Sequence, residues 1–300
     1  MPVLNENSLI EELINRIKLS VEIITQEFEI LIVDDGSEDS TWEKIEAEAI
    51  VEKRVKGIKL SRNFGHHYAI TAGLHKSIGD WVVVMDGDLQ DRPEVIPKLY
   101  FKAQEGFDIV FVSRQNRPEK IYYRAAQKFF YWTLNVLSGL SFDSSQANFS
   151  IISKKVVKAY KDFPENARFY GATIKWLGFN RSQVFAEHGH RFSGESSYSL
   201  KKRLKLATDI IISFSNRPLK FAIKIGFISS VLSIVLATTA VFQKLFYDSP
   251  VFGWTSLFAS IFFIGGIILT MLVIIGVYLL SISQEIKGRP LFVIQDTINL

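Results

Sequence analysis

Along the first part of the chain, short apolar blocks alternate with amphipathic stretches. Residues 28–33 (FEILIV) make a run of strand length, followed by the polar DDGSED and then by Ser40 with Glu43 three positions on. That spacing is the capping box that opens a helix. Val55 to Leu60 reads as the next strand, His66 to Ser77 as a helix and Trp81 to Met85 (WVVVM) as a buried strand. Pro93 to Gln104 reads as a helix with proline in its first turn, and Phe107 to Val112 as another strand. Such alternation predicts an α/β domain with a mainly parallel sheet covered by helices on both faces. In open sheets of this kind ligands sit beyond the carboxyl ends of the strands. The polar loops at 34–39, 61–65 and 86–91 are therefore the places where chemistry is expected.

The C-terminal part has a different pattern. No charged side chain occurs from Ser249 to Gln284, nor from Ile225 to Gln243, which Lys224 and Lys244 fence. About 20 apolar residues cross a ~30 Å hydrocarbon core, so two membrane helices are expected, at about 223–243 and 254–280. A turn around Tyr247, Asp248 and Pro250 joins them. Lys201, Lys202, Arg203, Lys205, Arg217, Lys220 and Lys224 precede the first span and Lys287 and Arg289 follow the second. The positive-inside rule puts both flanks in the cytoplasm, and the first residues lack the basic-then-apolar pattern of a cleavable signal. Between the regions, Ser199 to Lys220 combines the basic cluster with Leu200, Leu204, Leu206, Ile210, Ile211 and Phe214 at helical spacing, as in a helix lying among anionic headgroups. The expected organisation is a cytosolic catalytic domain (1–198), an amphipathic interfacial segment (199–222), two transmembrane helices (223–284) and a cytosolic C-terminal tail (285–300). That describes an integral, multi-pass protein of the cell (inner) membrane. Residues after Gly288 are expected to form a β-arm that reaches a neighbouring copy, a route to a homo-oligomer.

Composition narrows the chemistry. Apolar types make up 48% of the 300 residues and charged types 22%, and 35 Lys and Arg against 31 Asp and Glu leave a net charge of only +4. A surplus that small argues against a nucleic-acid partner. With no cysteine, disulfides, thiolate nucleophiles and Cys-ligated zinc are excluded, and any metal needs oxygen or histidine ligands. The five histidines lack ligand spacing, because His66 and His67 are adjacent and His188 and His190 alternate. Carboxylates are better placed: Asp34 and Asp35 end one apolar strand, and Asp86, Asp88 and Asp91 follow another. Any single one reads better as a turn or cap residue. Asp-Gly-Asp, however, allows two carboxylates to converge on a hard cation, Mg²⁺ or Mn²⁺, that keeps positions free for phosphate. Neither GxxxxGK[ST] nor GxGxxG is present. The ligand consistent with these features is a nucleotide diphosphate joined to a further group.

The segments IVDDGSEDST (32–41), LSRNFGHHYAITAGLHKSIGDWVVVMDGDLQDRPE (60–94) and RFSGESSYSLKKRLKLA (191–207) resemble the GT-A glycosyltransferases of family 2. They are most similar to the polyprenyl-phosphate branch, which includes dolichol-phosphate mannose synthase and the bactoprenol glucosyltransferases. The resemblance extends over nearly the whole chain and implies a GT-A Rossmann-like nucleotide-sugar domain. It implies that Asp34 and Asp35, with Pro2, Asn5 and Glu6 of PVLNEN, contact the nucleoside. Asp86 and Asp88 become the catalytic DxD and metal ligands, with Gln90 near the metal. Arg114, Arg124 and Arg191 become phosphate ligands, a task for which guanidinium forks are suited, although Arg124 on its helix has the alternative of facing solvent.

The implied reaction is metal-dependent transfer of a sugar, with inversion, from a UDP-, GDP- or dTDP-linked donor to a polyprenyl phosphate such as undecaprenyl phosphate. Two other readings are a processive polysaccharide synthase, against which the absence of QxxRW counts, and an inactive membrane-anchored nucleotide-sugar-binding protein. The family begins with a full apolar strand before P-V-x-N-E, whereas Met1 stands directly before Pro2 here. That strand is expected to be missing, or the start to be assigned too late. Ser197 and His67 are further departures.

Overall fold

The computed structural model describes residues 1–114, 121–139, 146–166, 168–186, 200–247 and 253–300. In chain order the elements are β1 (Pro2–Val3), α1 (Ile10–Val21), β2 (Ile30–Asp34), α2 (Thr41–Val51), β3 (Val55–Leu60), α3 (His66–Lys76) and β4 (Trp81–Val84). A 3-10 turn (Pro93–Val95) leads into α4 (Ile96–Gln104), followed by β5 (Ile109–Arg114), α5 (Ile121–Ser138), β6 (Gln146–Ser153), α6 (Lys154–Lys161), α7 (Tyr170–Trp176) and β7 (Arg181–Ala186). The chain ends with α8 (Leu200–Phe214), α9 (Arg217–Tyr247), α10 (Trp254–Ile286) and β8 (Ile294–Ile298).

Two four-stranded sheets form, in the orders β1-β2-β3-β8 and β4-β6-β5-β7. In the first, β1, β2 and β3 are parallel and β8 is antiparallel to β3. In the second, β6 runs against both β4 and β5, while β7 is parallel to β5. Each sheet therefore has three strands in one sense and one reversed, the mainly parallel arrangement that the alternating pattern predicts. Burial on both faces explains why β2 reads as an unbroken apolar run. Successive residues of a strand face opposite ways: Ile32 packs with Ile10, Leu13, Trp42 and Ile45 of α1 and α2. Its neighbour Val33 packs with Ile58, Ala69 and Ala72 on the α3 side. Each such wholly buried aliphatic side chain contributes about 1.5–3 kcal/mol.

The structure departs from the sequence expectations in four places. Residues 1–3 fill the position of the first strand: Pro2 and Val3 pair in parallel register with Val33 and Asp34, and Val33 N–H donates to the Met1 carbonyl and Asp35 N–H to that of Val3. The capping box is not formed, because the Ser40 hydroxyl meets Asn7 Nδ2 at 2.7 Å and Asp39 takes the Thr41 N–H instead. The amphipathic segment expected over 199–222 is broken at Ser215–Asn216, and Arg217 to Lys220 already belong to α9. The residues expected as a tail, and as an arm toward another copy, are strand β8 on the edge of the chain's own β3.

The chain divides into two compact units. One comprises Met1–Asn135, Leu140–Arg203 and Arg289–Leu300, and the other Val136–Gly139 and Leu204–Gly288. The second unit holds α9 and α10. Within α10, Phe263–Ile286 is long and apolar enough to cross a bilayer, with a mean hydropathy of 2.6 and none of its most apolar window buried. Phe227, Ile228, Leu232 and Val235 of α9 are likewise exposed.

Candidate active site

Three loops at the carboxyl ends of β2, β3 and β4 meet. The loop after β2 carries Asp34, which is wholly buried. Its Oδ1 accepts the Ser37 N–H at 2.9 Å and the Ser37 hydroxyl at 2.5 Å, an Asx turn that sets the loop's shape. Its Oδ2 is buried with no partner among the described residues. Gly36, at φ +76°, lies so close to the next loop that a Cβ there would stand 2.5 Å from the Arg62 carbonyl carbon. Only glycine fits both the left-handed backbone and the contact.

Asp35 fastens the loop after β3. Phe64 N–H donates to its Oδ1 at 2.8 Å and Gly65 N–H to its Oδ2 at 3.0 Å. Burial raises the Asp35 carboxyl above its ordinary range, against the opposing effect of the two backbone donors. Gly65 precedes α3, so Asp35 holds the start of that helix, where His66 stands.

The loop after β4 contains Asp86 and Asp88. Asp88 Oδ1 accepts the backbone N–H of Gln90 at 3.0 Å. The buried Asp91 accepts the Asp86 N–H at 3.4 Å. Between them Leu89 sits at φ +59° with its side chain in the core. A leucine in the left-handed region is strained by about 1–2 kcal/mol, and the buried side chain holds it there. Gly87 permits a further close approach: a Cβ at that position would lie 2.6 Å from Val3 Cγ1 and 3.0 Å from the Pro2 carbonyl oxygen. That contact brings the Asp-Gly-Asp loop against β1. A bidentate Arg16–Glu94 pair, at 2.8 and 2.9 Å, ties α1 to the turn that follows.

The link between the second and third loops is a histidine. His66 Nε2 lies 3.3 Å from Asp86 Oδ1 and 3.3 Å from Asn148 Nδ2 on β6. Burial pushes this imidazole down, but the hydrogen bond and charge of Asp86 outweigh it and set it above its ordinary 6.5. Next to it, burial pushes His67 down to about 4, and its ring stands edge-on to Phe169 at 5.6 Å. His67 is thus a neutral ring at physiological pH and no cation for phosphate.

The remaining sequence-predicted residues fall on either side of what the structure describes. Pro2 is buried in β1. Asn5, in the left-handed region at φ +56°, donates its N–H to Ser37 Oγ and accepts the Glu38 N–H, both at 2.9 Å. Glu6 N–H donates to Thr41 Oγ1 at 2.9 Å. The PVLNEN segment is thereby laid along the Asp34 loop. Arg114 is the last residue of β5 and Arg124 lies in α5, but the side chains of both, and all of Arg191, lie outside the described residues. Sequence reasoning missed the pairing of His66 with Asn148, whose only signal was a histidine immediately after the glycine that starts α3.

The donor set suits a divalent cation that arrives with its ligand. Among the described residues no cluster of three or more His, Cys, Asp or Glu forms a closed protein cage. Asp86 and Asp88 supply hard oxygen donors flanking a single glycine, and both are only partly buried. Mg²⁺ is commonly held by one or two carboxylates and completed by water and phosphate oxygens, which is what two such residues allow.

Comparison with known proteins gives a consistent result. The model of the family described as "Glycosyl transferase family 2" matches residues 1–163. The chain is 33% identical over 298 residues to the SfII prophage-derived bactoprenol glucosyl transferase of Shigella flexneri, covering 99% of this chain and 96% of that one. It is 28% identical over 303 residues to the undecaprenyl-phosphate 4-deoxy-4-formamido-L-arabinose transferase of Proteus mirabilis, covering 100% and 93%. In fold it is similar to the glucosyl-3-phosphoglycerate synthase of Mycobacterium tuberculosis, solved with Mn²⁺, UDP and phosphoglyceric acid. The TM-score is 0.50 at 20% identity, over 70% of this chain and 74% of that one.

Proposed function

The chain belongs to glycosyl transferase family 2, and on that premise we propose that it transfers a sugar from a nucleoside diphosphate sugar to the phosphate of a membrane polyprenol. The observation that carries this reading is the joining of the three strand-end loops: Gly36 against Arg62, Asp35 on Gly65, and His66 on Asp86. That arrangement brings a buried acceptor, Asp34 Oδ2, and a pair of hard oxygen donors to adjoining loops at the carboxyl ends of strands from both sheets, as a base-and-diphosphate ligand requires. The names of the two relatives, a bactoprenol glucosyl transferase and an undecaprenyl-phosphate 4-deoxy-4-formamido-L-arabinose transferase, favour a polyprenyl phosphate as acceptor.

An alcohol acceptor needs a general base because its pKa lies far above 7. A phosphate monoester, with a second pKa of about 6, is already an anion at neutral pH. The chain's residues then have to bind and orient. One acceptor phosphate oxygen bonds to the anomeric carbon as that carbon's bond to the donor diphosphate breaks, and the electron pair leaves with the nucleoside diphosphate. A Mg²⁺ or Mn²⁺ ion held by Asp86 and Asp88 would supply charge neutralisation of that leaving group. Asp34 and the PVLNEN segment hold the nucleoside, and Arg114, Arg124 and Arg191 are assigned to the phosphates.

The acceptor's tail requires a protein at the membrane, since withdrawing it from lipid costs about 0.8 kcal/mol per CH₂. The helices α9 and α10 serve as a membrane-spanning hairpin in this reading, with the catalytic loops on the cytoplasmic side. The test is to incubate membranes with a panel of labelled nucleotide sugars and undecaprenyl phosphate and to extract the lipid for mass spectrometry. The expected product is one sugar per lipid, made by the wild type. Asp88→Ala should lower it at least 100-fold while the protein stays in the membrane fraction. A polymer, no product from any donor, or full activity of Asp88→Ala would each overturn the proposal.

A further inference from the structure

We propose that His66, steadied by Asn148, is a positioning residue that orients the Asp86 carboxylate for the divalent cation and ties this loop to the nucleoside loop. The inference rests on the reading of Asp86 and Asp88 as metal ligands. A carboxylate on an irregular loop has free rotation about its side-chain bonds unless an outer partner fixes it, and such partners commonly govern metal affinity by 10–100-fold. The loop after β4 is irregular in this sense, with left-handed Leu89 in its middle. His66 reaches it from outside, with Nε2 at 3.3 Å from Asp86 Oδ1. The contact with the ring holds Oδ1 toward the start of α3 and so sets the direction of the other oxygen.

The histidine is itself held from two sides. Asn148, on the neighbouring β6, places its side-chain amide 3.3 Å from the same Nε2. Asn148 offers the ring its NH₂ as placed or, turned end for end, its carbonyl, and the histidine tautomer sets which group donates. On the backbone side, His66 is the first residue of α3, and the N–H groups just before it, of Phe64 and Gly65, are bound by Asp35. The chain of contacts runs from Asp35 through the start of α3 to His66 and Asp86. The groups around the ring include Asp86, Asn148, Asp35, the Met1 amino group and the neutral His67. A displacement of the loop after β3 is thus transmitted to the metal-binding loop through one side chain.

The experiment measures Mn²⁺ binding directly. The full chain is purified in detergent, and free Mn²⁺ is followed by electron paramagnetic resonance in the presence of UDP. Wild type is compared with His66→Ala, His66→Gln, Asn148→Ala and, as a reference, Asp88→Ala. Loss of His66 should weaken Mn²⁺ binding 10–100-fold. Glutamine, whose amide N–H reaches about as far as Nε2, should recover most of that loss, and Asn148→Ala should weaken binding severalfold. In the transfer assay the Mn²⁺ activation curve should move to higher concentration by the same factor, with the rate deficit recovered by added metal. Wild-type affinity in His66→Ala, or a glutamine variant no better than alanine, overturns the positioning role while leaving the metal assignment intact. Undiminished binding in Asp88→Ala, or none in the wild type, overturns the metal assignment and this inference with it. Should His66→Ala not fold, the glutamine and Asn148 variants carry the same comparison.

Discussion

Asp34 has two carboxylate oxygens with different duties. Oδ1 shapes the loop through the Ser37 N–H and hydroxyl, whereas Oδ2 is buried without a partner among the described residues. A buried acceptor left unpaired costs about 1–3 kcal/mol, a deficit that, on the proposed reading, a donor on the incoming nucleoside removes. Asp34→Asn separates the two duties, since its carbonyl keeps the Ser37 bonds while its NH₂ replaces the free acceptor. The donor KM should rise about 10–100-fold, the equivalent of the same energy, with a smaller change in kcat and the melting temperature within a few degrees of wild type. An unchanged KM would show that Oδ2 faces no ligand. The doublet of aspartates was legible in the sequence, but the division of labour was not. Asp34 and Asp35 look alike as letters, yet Asp35 spends both oxygens on Phe64 and Gly65, contacts 29 and 30 positions away that no local pattern encodes.

At the scale of elements, one junction joins α1, the end of α2 and the start of β3. Glu52 accepts from Arg54 Nε at 3.0 Å and Nη2 at 2.8 Å, and Lys18 Nζ lies 2.9 Å from it. Arg54 also reaches Glu22 at 3.2 Å. The Arg54 hydrogen bonds, and after them that of Lys18, hold the Glu52 carboxyl well below its ordinary 4.5. A carboxylate whose pKa is lower in the folded state stabilises fully above its unfolded value and loses that contribution as pH falls toward the folded one. Glu52→Gln is therefore expected to cost about 1 kcal/mol at pH 7, a modest figure because the network is partly exposed. The gap to wild type should narrow steadily below pH 4.5. Thermal unfolding in detergent between pH 7 and 3 measures it, and a gap that widened on acidification would count against this assignment. The elements themselves were differently legible. The bounds of β3 were readable because the buried Val55, Ile58 and Leu60 mark a stretch of strand length, although Lys56 and Lys59 interrupt it. Strand β8 was not: its burial is confined to its ends, with Gln295, Asp296 and Thr297 exposed, so nothing local marks it as the partner of Gly57 and Ile58 more than 200 positions earlier. Gly57 records that pairing in another way, for a Cβ there would meet Ile298 at 2.7 Å.

For the whole molecule, the order of elements constrains how the chain can meet a bilayer. Strand β3 lies before α9 and α10 in the chain, and β8 lies after them, yet the two strands are hydrogen-bonded neighbours in one sheet. A sheet cannot be divided by a hydrocarbon layer, since backbone groups exposed to lipid go unsatisfied. On the proposed membrane-spanning reading, the residues between the strands therefore cross the bilayer an even number of times. Phe263–Ile286 of α10 meets the requirement of length and hydropathy for one crossing. A second is needed, and α9 is the candidate: 31 residues, 46 Å at 1.5 Å per residue by helix geometry, with a stretch free of charge from Ile225 to Gln243. Because the protein has no cysteine, single substitutions report topology without a background to remove. Lys53→Cys and Leu300→Cys, both at exposed positions of the first unit, should resist a membrane-impermeant maleimide in intact spheroplasts and react after permeabilisation. Ser249→Cys, between the two helices, should react before it. Labelling of Lys53→Cys and Leu300→Cys from opposite sides would mean that β8 does not pair with β3 in the membrane-bound protein. A protected Ser249→Cys beside a protected Leu300→Cys would instead leave both ends of α9 and α10 on one face of the membrane and overturn the proposed hairpin.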